Sequence, residues 1–379
     1  MKPLSIYVHF PFCVQRCRYC DFVSYPWNGR ASHLEYLALL QEELVLKVEA
    51  YGLKGQKIDT VYFGGGSPSL LEVEDLGRLL ESLDTFFTFS PDVEVTLEFK
   101  PGVTELLKID DLRKVGINRL SIGIQSFDSR NLHFLGRNTP VGVMVQVVEK
   151  VRELYSRWNI DLIYSLPLQD LSVWKRDLEK ALSFQPPHLA VYNLTLHPPA
   201  PLYWFRKVHP RFFPSPEAET VLWEWAVVRL QAEGYRHYEI SNFAKPGYEC
   251  RHNLGYWSNH EYLGLGVSAW SYLGEIRERN TNFLRNYVRR LKENDLPVVL
   301  REKLSPSRKL GEAIMLGLRK EEGFSLEELA HYPPKVAEEK LRTLMQLVRE
   351  GWLIENQGRF SFSPRGLLLA NQVLAEIVD

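Results

Sequence analysis

Three of the chain's four cysteines, Cys13, Cys17 and Cys20, form a C-x3-C-x2-C pattern just after the apolar run 6–10. A β-type run closed by Pro11 puts the thiols on a loop at a strand's C-terminal end, where three soft ligands can face one point. A disulfide would use two of them and strand the third, and so few cysteines in 379 residues do not suggest a secreted disulfide scaffold. A structural zinc normally takes four protein ligands, and here the fourth would have to come from His9 or distant Cys250. Three thiolates can also hold three irons of a [4Fe-4S] cluster and leave the fourth iron open.

Further polar residues stand where strands end. The run 60–63 leads into Gly64-Gly65-Gly66-Ser67-Pro68, whose glycines allow close backbone approach to the carboxylate or amino end of a ligand, or simply make a tight βα turn. Glu98 follows the run 93–97, Gln125 follows 119–124, Arg137 lies in the next loop, and Asp161 sits inside the apolar run 159–164. Taken singly, each is equally compatible with a solvated loop or a local salt bridge. A carboxylate inside an apolar strand is costly without a partner, so Asp161 requires one, either a cationic ligand or Arg137.

Such residues need a scaffold that gathers strand ends. Leu34, Leu37, Leu40, Leu44 and Val48 recur at three- and four-residue spacing, which predicts a helix over 31–50. The strand-like runs 60–63, 93–97, 119–124, 159–164 and 188–194 alternate with helical patterns near 72–86, 104–115, 141–155 and 172–184. This alternation predicts a parallel sheet of right-handed βαβ units. With the first strand there are six, which suits a curved, open α/β barrel, although periodicity alone also fits a doubly wound sheet. A Pro-rich connection at 197–201 precedes a helix over 216–233 and an aromatic-rich stretch, 238–270, expected to cover the barrel's open side. Near Ser305 the pattern changes again: helices at 307–318, 325–331 and 334–350 precede a hairpin, 352–355 and 359–362, and a last helix, 364–378. The expected organisation is a barrel over 1–200, an extension over 201–304 and a winged-helix-like α+β domain over 305–379.

Composition sets the boundaries of function. Hydrophobic residues make up 45% and charged residues 25%, ordinary for a globular protein. A net charge of -1 lacks the footprint of a general nucleic-acid binder. No apolar run reaches membrane-spanning length, leaving transient surface association as the only expected membrane contact, and residues 1–4 enter the first strand without a signal-peptide pattern. A cytoplasmic setting, where thiols stay reduced, is expected.

The cysteine spacing, with Tyr19 as the aromatic residue before the third cysteine, resembles the radical S-adenosylmethionine (SAM) superfamily. The resemblance implies a partial (β/α)6 barrel and a [4Fe-4S] cluster on Cys13, Cys17 and Cys20. It also implies that the open iron is chelated by SAM, which an electron from the cluster cleaves to methionine and a 5′-deoxyadenosyl radical. The glycine loop is similar to the superfamily's methionine-binding motif. In the coproporphyrinogen-oxidase-like branch, the matching positions imply SAM contacts from Tyr7, Tyr19, Gly65, Gly66 and Ser67. Glu98, Gln125, Arg137 and Asp161 then serve the sulfonium and ribose side, with Thr195 near the adenine.

Within that branch, the segments 119–127, 135–137, 161–164, 238–244 and 250–257 are similar to those of HemW-type heme chaperones. Oxygen-independent coproporphyrinogen III oxidases carry another cysteine where this chain has Phe22, and an N-terminal arm before the first strand. The resemblance implies heme binding, delivery of heme to respiratory apoproteins, an electron donor, and no assigned catalytic residue. His252 is the implied axial ligand, with Cys250 as a thiolate alternative; equally, His252 can be a hydrogen-bonded histidine inside an aromatic shell. Three segments depart from the family pattern. Gly-Leu-Pro-Gly reads Ser165-Leu166-Pro167-Leu168, Gly-Pro-Gly-Ala-His-Ser reads Gly266-Val267-Ser268-Ala269-Trp270-Ser271, and Glu-Ala-Asn-Pro reads Glu98-Phe99-Lys100-Pro101. The alternatives are a true coproporphyrinogen III oxidase and a non-catalytic, zinc-stabilised binding module.

Overall fold

The computed structural model describes residues 4–198 and 200–378; residues 1–3 of the expected leaderless start and Pro199 of the Pro-rich connection lie outside them. The chain opens with β1 (Leu4–Phe10), α1 (Arg30–Tyr51), β2 (Lys57–Gly65), α2 (Val73–Phe86), β3 (Thr88–Phe99) and α3 (Val103–Lys114). It continues with β4 (Arg119–Gln125), α4 (Ser129–Leu135), α5 (Val141–Leu154), β5 (Arg157–Tyr164), α6 (Leu171–Ser183) and β6 (His188–Asn193). The six strands pair in parallel in the order β1-β2-β3-β4-β5-β6. Each crossover thus steps to the next neighbour without reversing, whereas a doubly wound sheet reverses strand order at a switch point. The ligand-binding edge of such a barrel is its strands' C-terminal ends.

Apolar residues explain why these strands sit at the centre. Ile6, Val61, Phe63, Leu97, Leu120, Ile122, Ile160 and Leu189 are buried between the sheet interior and the surrounding helices. Parallel strands covered on both faces read as continuous apolar runs. α2 buries Leu76, Leu79, Leu80 and Leu83, one face at helical spacing.

After α7 (Pro201–Val208) and α8 (Pro216–Ala232), the chain adds β7 (Arg236–Glu239), β8 (Asn242–Ala244), α9 (Arg251–Trp257), β9 (Tyr262–Leu265), β10 (Trp270–Leu273), β11 (Ile276–Asn280), α10 (Leu284–Lys292) and β12 (Val298–Lys303). The stretch expected to cover the barrel's open side supplies strands to the sheet. β9 pairs in parallel with β1 and leads through β10 and β11 to β12, while β8 pairs antiparallel with β6 and carries β7, giving one 12-stranded sheet. The stretch lengthens both edges of the barrel sheet. Unpaired edge N–H and C=O groups of β1 and β6 supply the physical reason, and short strands satisfy them.

The C-terminal region has its own core, built on Leu310, Ile314, Leu344, Leu347, Phe360 and Val373. α11 (Pro306–Gly317), β13 (Phe324–Ser325) and α12 (Pro334–Arg349) precede the hairpin β14 (Leu353–Asn356) and β15 (Arg359–Phe362). Gln357 and Gly358 both take positive φ, 50° and 76°, which matches a two-residue hairpin turn to the strand twist. The expected helix at 325–331 is a 3-10 helix, Leu326–His331, ended by Pro333 and Pro334. The last helix is split at Leu369 into α13 (Pro364–Leu368) and α14 (Ala370–Val378).

Candidate cofactor site

A cavity of about 440 Å³ opens at the C-terminal ends of the barrel strands. Cys13, Cys17, Tyr19, Cys20, Gly65, Gly66, Ser67, Glu98, Gln125, Arg137, Asp161 and Thr195 all line it. These are the residues expected from the sequence for the cluster and SAM, with one exception. Tyr7 stands behind the wall, its ring stacked on Tyr62 and its hydroxyl 3.0 Å from His9 Nδ1.

The cysteine loop and the glycine loop are built against each other. Gly66 N–H donates to Phe10 O at 2.7 Å and Ser67 N–H to Phe12 O at 2.9 Å. A Cβ on Gly66 would come within 2.6 Å of Phe12 O, and one on Gly65, at φ 109°, within 2.5 Å of the His9 ring. Gly65 N–H donates to Glu98 Oε2 at 3.1 Å. The N–H groups of Gly65, Gly66 and Ser67 are therefore engaged, and the backbone here has only carbonyl oxygen to offer a ligand, while the Ser67 hydroxyl donates to Cys13 Sγ at 3.6 Å. That favours an amino group over a carboxylate. On the other side, Arg18 N–H donates to Leu135 O at 2.9 Å, tying the cysteine loop to the end of α4.

Electrostatics follow from burial. Glu98 is pushed up to about 7 by desolvation and by the neighbouring Asp161 carboxylate, against the Gly65 N–H and Tyr62 hydroxyl. Asp161 is also pushed up to about 7 by desolvation, against hydrogen bonds from Ser121 and Asn159 and the charges of Arg119 and Arg137. Its partners are Ser121 Oγ, 3.2 Å from both carboxylate oxygens, and Asn159 Nδ2 at 2.6 Å. Of the two partners considered for Asp161, Arg137 does not reach it: one guanidinium nitrogen donates to Gly123 O, and Nε is buried without a protein partner. Two carboxyls facing a cavity suit a cationic ligand, and an unpartnered buried N–H suits an acceptor on it.

The donor set fits an iron–sulfur cluster better than a single ion. Among the described residues, no three Cys, His, Asp or Glu groups converge as one metal ion requires. A cubane takes one thiolate per iron and needs no such convergence. His9 is not free to complete a zinc site, since its ring faces Tyr7 and Val23 O at 3.2 Å. Cys250 is at the other end of the barrel. Lys100 and Arg137 bring positive charge to Cys13.

His252 and Cys250 are not brought to this cavity. They lie on or beside α9, below the N-terminal halves of the strands. His252 Nδ1 is 2.7 Å from Thr60 Oγ1, Nε2 is 3.0 Å from the Tyr256 hydroxyl, and the ring stacks on Tyr62. Burial and the nearby Arg119 charge push its pKa down to about 3. The Cys250 thiol, pushed up to about 12 chiefly by burial, is 3.5 Å from Glu94 Oε1. Of the two readings of His252, the structure shows the hydrogen-bonded one: both ring nitrogens are engaged inside an aromatic shell, and the Cys250 thiol is buried against Glu94.

Sequence reasoning missed Tyr62, Ser121 and Tyr192 in the cavity wall and Glu94 below it. Ser121, Gly123 and Gln125 alternate along β4, as do Asn159, Asp161 and Ile163 along β5, so a period of two marks the inward face. Glu94 carried no such signal. It accepts from Cys250 Sγ and from the Arg251 and His252 N–H groups at 3.2 and 3.1 Å, capping α9 from a different strand. Ser165, Leu168 and Ser268, which replace glycines of the family pattern, all adopt positive φ, 63°, 59° and 64°.

Residues 7–180 match the Radical SAM superfamily and residues 304–369 the HemN C-terminal domain. The heme chaperone HemW of Synechocystis is 31% identical over 398 residues, covering 100% of this chain and 97% of that protein. HemW of Escherichia coli is 38% identical over 270 residues, 71% of this chain and 70% of that protein. The solved coproporphyrinogen III oxidase (HemN) of Escherichia coli superposes with a TM-score of 0.86 at 24% identity, over 99% of this chain and 90% of that one. At that identity the likeness is one of fold. By its sequence relatives, the chain belongs to the HemW family within the radical SAM superfamily.

Proposed function

We propose that this protein is a heme chaperone that holds a [4Fe-4S] cluster and SAM and passes heme to a respiratory apoprotein. The observation that carries the proposal is the match to HemW chaperones along the whole chain, 31% identical over 398 residues. Cys13, Cys17 and Cys20 hold the cluster, and the remaining cavity receives SAM. A reduced cluster of this kind supplies an electron to bound SAM. Glu98 and Asp161 place negative charge where a sulfonium needs it, Arg137 Nε donates to the ligand, and the glycine-loop carbonyls accept from its amino group. Phe22, 59% exposed at the cavity wall, keeps an apolar side chain where the oxidases carry a further cysteine.

No helix of the described residues is long and apolar enough to cross a membrane. Delivery is proposed to proceed from the cytoplasm, where thiols stay reduced, with at most transient contact with a membrane surface, and needs an electron donor wherever the cluster is reduced.

Anaerobic incubation of reconstituted protein with coproporphyrinogen III and SAM, beside a hemin titration of the same protein, tests the proposal. The expected result is stoichiometric heme binding without vinyl product. Catalytic formation of vinyl groups would replace chaperone by oxidase.

A further inference from the structure

We infer that heme docks on the rim formed by α7 and the following 3-10 turn, Pro210–Phe212, with the imidazole of His209 as its axial ligand. The inference rests on the heme-binding function proposed above and supplies the site that His252 does not.

Heme asks three things of a surface: an apolar face for the macrocycle, cations for two propionates, and a nitrogen or sulfur donor for iron. Trp204 and Val208, one helical turn apart on α7, are 60% and 71% exposed, and Phe212 is 38% exposed beside them. Single exposed apolar residues need no explanation, but a contiguous group on one short element does. His209 follows directly. Its ring lies 4.8 Å from that of Phe205 and 5.9 Å from that of Phe212, is exposed, and makes no side-chain hydrogen bond among the described residues. Lys207 and Arg211 flank it, both exposed and in no ion pair among the described residues, whereas Arg206 is drawn away to Glu219.

Five of the nine other histidines are set aside by their contacts. His9, His188, His237 and His252 are held by hydrogen bonds in or near the interior. His197 is paired with Asp21 at the cavity mouth. The α7 rim is also joined to the cluster side of the molecule. Leu202 N–H donates to Arg18 O at 2.9 Å, and Leu202 and Phe213 share a buried cluster with Leu194, Ile163 and the neighbouring Tyr19. A heme on this rim would lie beside the cysteine loop, where the state of the cluster site can affect its hold.

The test is a hemin titration of the full-length protein, followed in the Soret region, for wild type, His209→Ala, His252→Ala and the double variant Trp204→Glu/Val208→Glu. One heme per chain is expected for wild type. Loss of the axial ligand in His209→Ala is expected to shift the Soret band and weaken binding about tenfold or more, with added imidazole restoring the band. The double variant is expected to weaken binding comparably, with thermal unfolding unchanged because both side chains are exposed. If wild type binds no heme, the chaperone function falls together with this site. If wild type binds and both rim variants match it, the site alone is overturned. A folded His252→Ala that loses the imidazole signature while His209→Ala keeps it would return the ligand to α9 and also overturn the site. So would rim variants that bind heme normally but lose affinity for anionic phospholipid vesicles, since the face would then be a membrane contact.

Discussion

The two ends of the barrel are made of the same residue types and behave differently. At the floor, Glu94 takes three donors, His252 uses both ring nitrogens, and His188 Nε2 meets the Tyr238 hydroxyl at 2.8 Å. At the rim, two carboxyls and an incompletely bonded guanidinium face a cavity with three thiols. Asn159 joins the two ends: Arg119 donates to its Oδ1 at 2.6 Å, and its Nδ2 donates to Asp161 at 2.6 Å. A buried Arg, Cys, His or carboxylate is thus not by itself a sign of a site. Unused hydrogen-bonding capacity directed at open space distinguishes the rim.

Replacing the rim thiols should break the comparison most severely. Cys13→Ala, Cys17→Ala and Cys20→Ala together are expected to abolish iron and sulfide uptake while leaving thermal unfolding of the protein without cluster nearly unchanged, because the three cysteines are only partly buried. Next in size is a floor substitution. Glu94→Ala removes the acceptor for two N–H groups of α9 and is expected to cost about 3 kcal/mol or more in denaturant unfolding.

Asp161→Asn should have the opposite profile, with SAM affinity reduced about tenfold and stability unchanged or raised, since a costly buried carboxyl is lost. The sign of the pH dependence follows from the same groups. Glu98 and Asp161 have folded pKa values raised to about 7, so their contribution to stability is fully present below the ordinary carboxylate values. It is lost as pH rises through about 7. A cationic ligand prefers the ionised pair, so SAM binding should strengthen from about pH 6 to about pH 8, and Asp161→Asn should flatten that rise.

His252→Phe is expected to cost about 1–2 kcal/mol through the orphaned Thr60 and Tyr256 hydroxyls, with SAM affinity unaltered. The smallest effect belongs to Leu168→Gly. Leu168 holds a left-handed backbone with an exposed side chain, and glycine should stabilise the fold by up to about 1 kcal/mol.

Much of this arrangement was legible because it is local. The βα rhythm follows from apolar periodicity, and the cysteines and glycine loop mark two adjacent strand ends. Periodicity could not choose between a barrel and a doubly wound sheet, because that choice lies in the order of strand pairing. The strands within 238–270 were not legible for a related reason: they pair with β1 and β6, more than fifty positions away for Phe243 on Leu189 and farther for Leu263 on Ile6. The sequence left two readings of His252 open because it reveals a side chain's chemistry but not its partners, Thr60 and Tyr256. Ser165, Leu168 and Ser268, where the family pattern has glycine, take a left-handed backbone that their residue types do not announce.

The most direct measurement is electron paramagnetic resonance of the reduced, anaerobically reconstituted protein before and after addition of SAM. A cluster held by Cys13, Cys17 and Cys20 with an open iron facing the cavity should give a signal that SAM alters, and Asp161→Asn should require more SAM for the same change. A protein that takes up zinc but no iron and sulfide, or a cluster signal that saturating SAM leaves untouched, would contradict the assignment of the rim as the cofactor site.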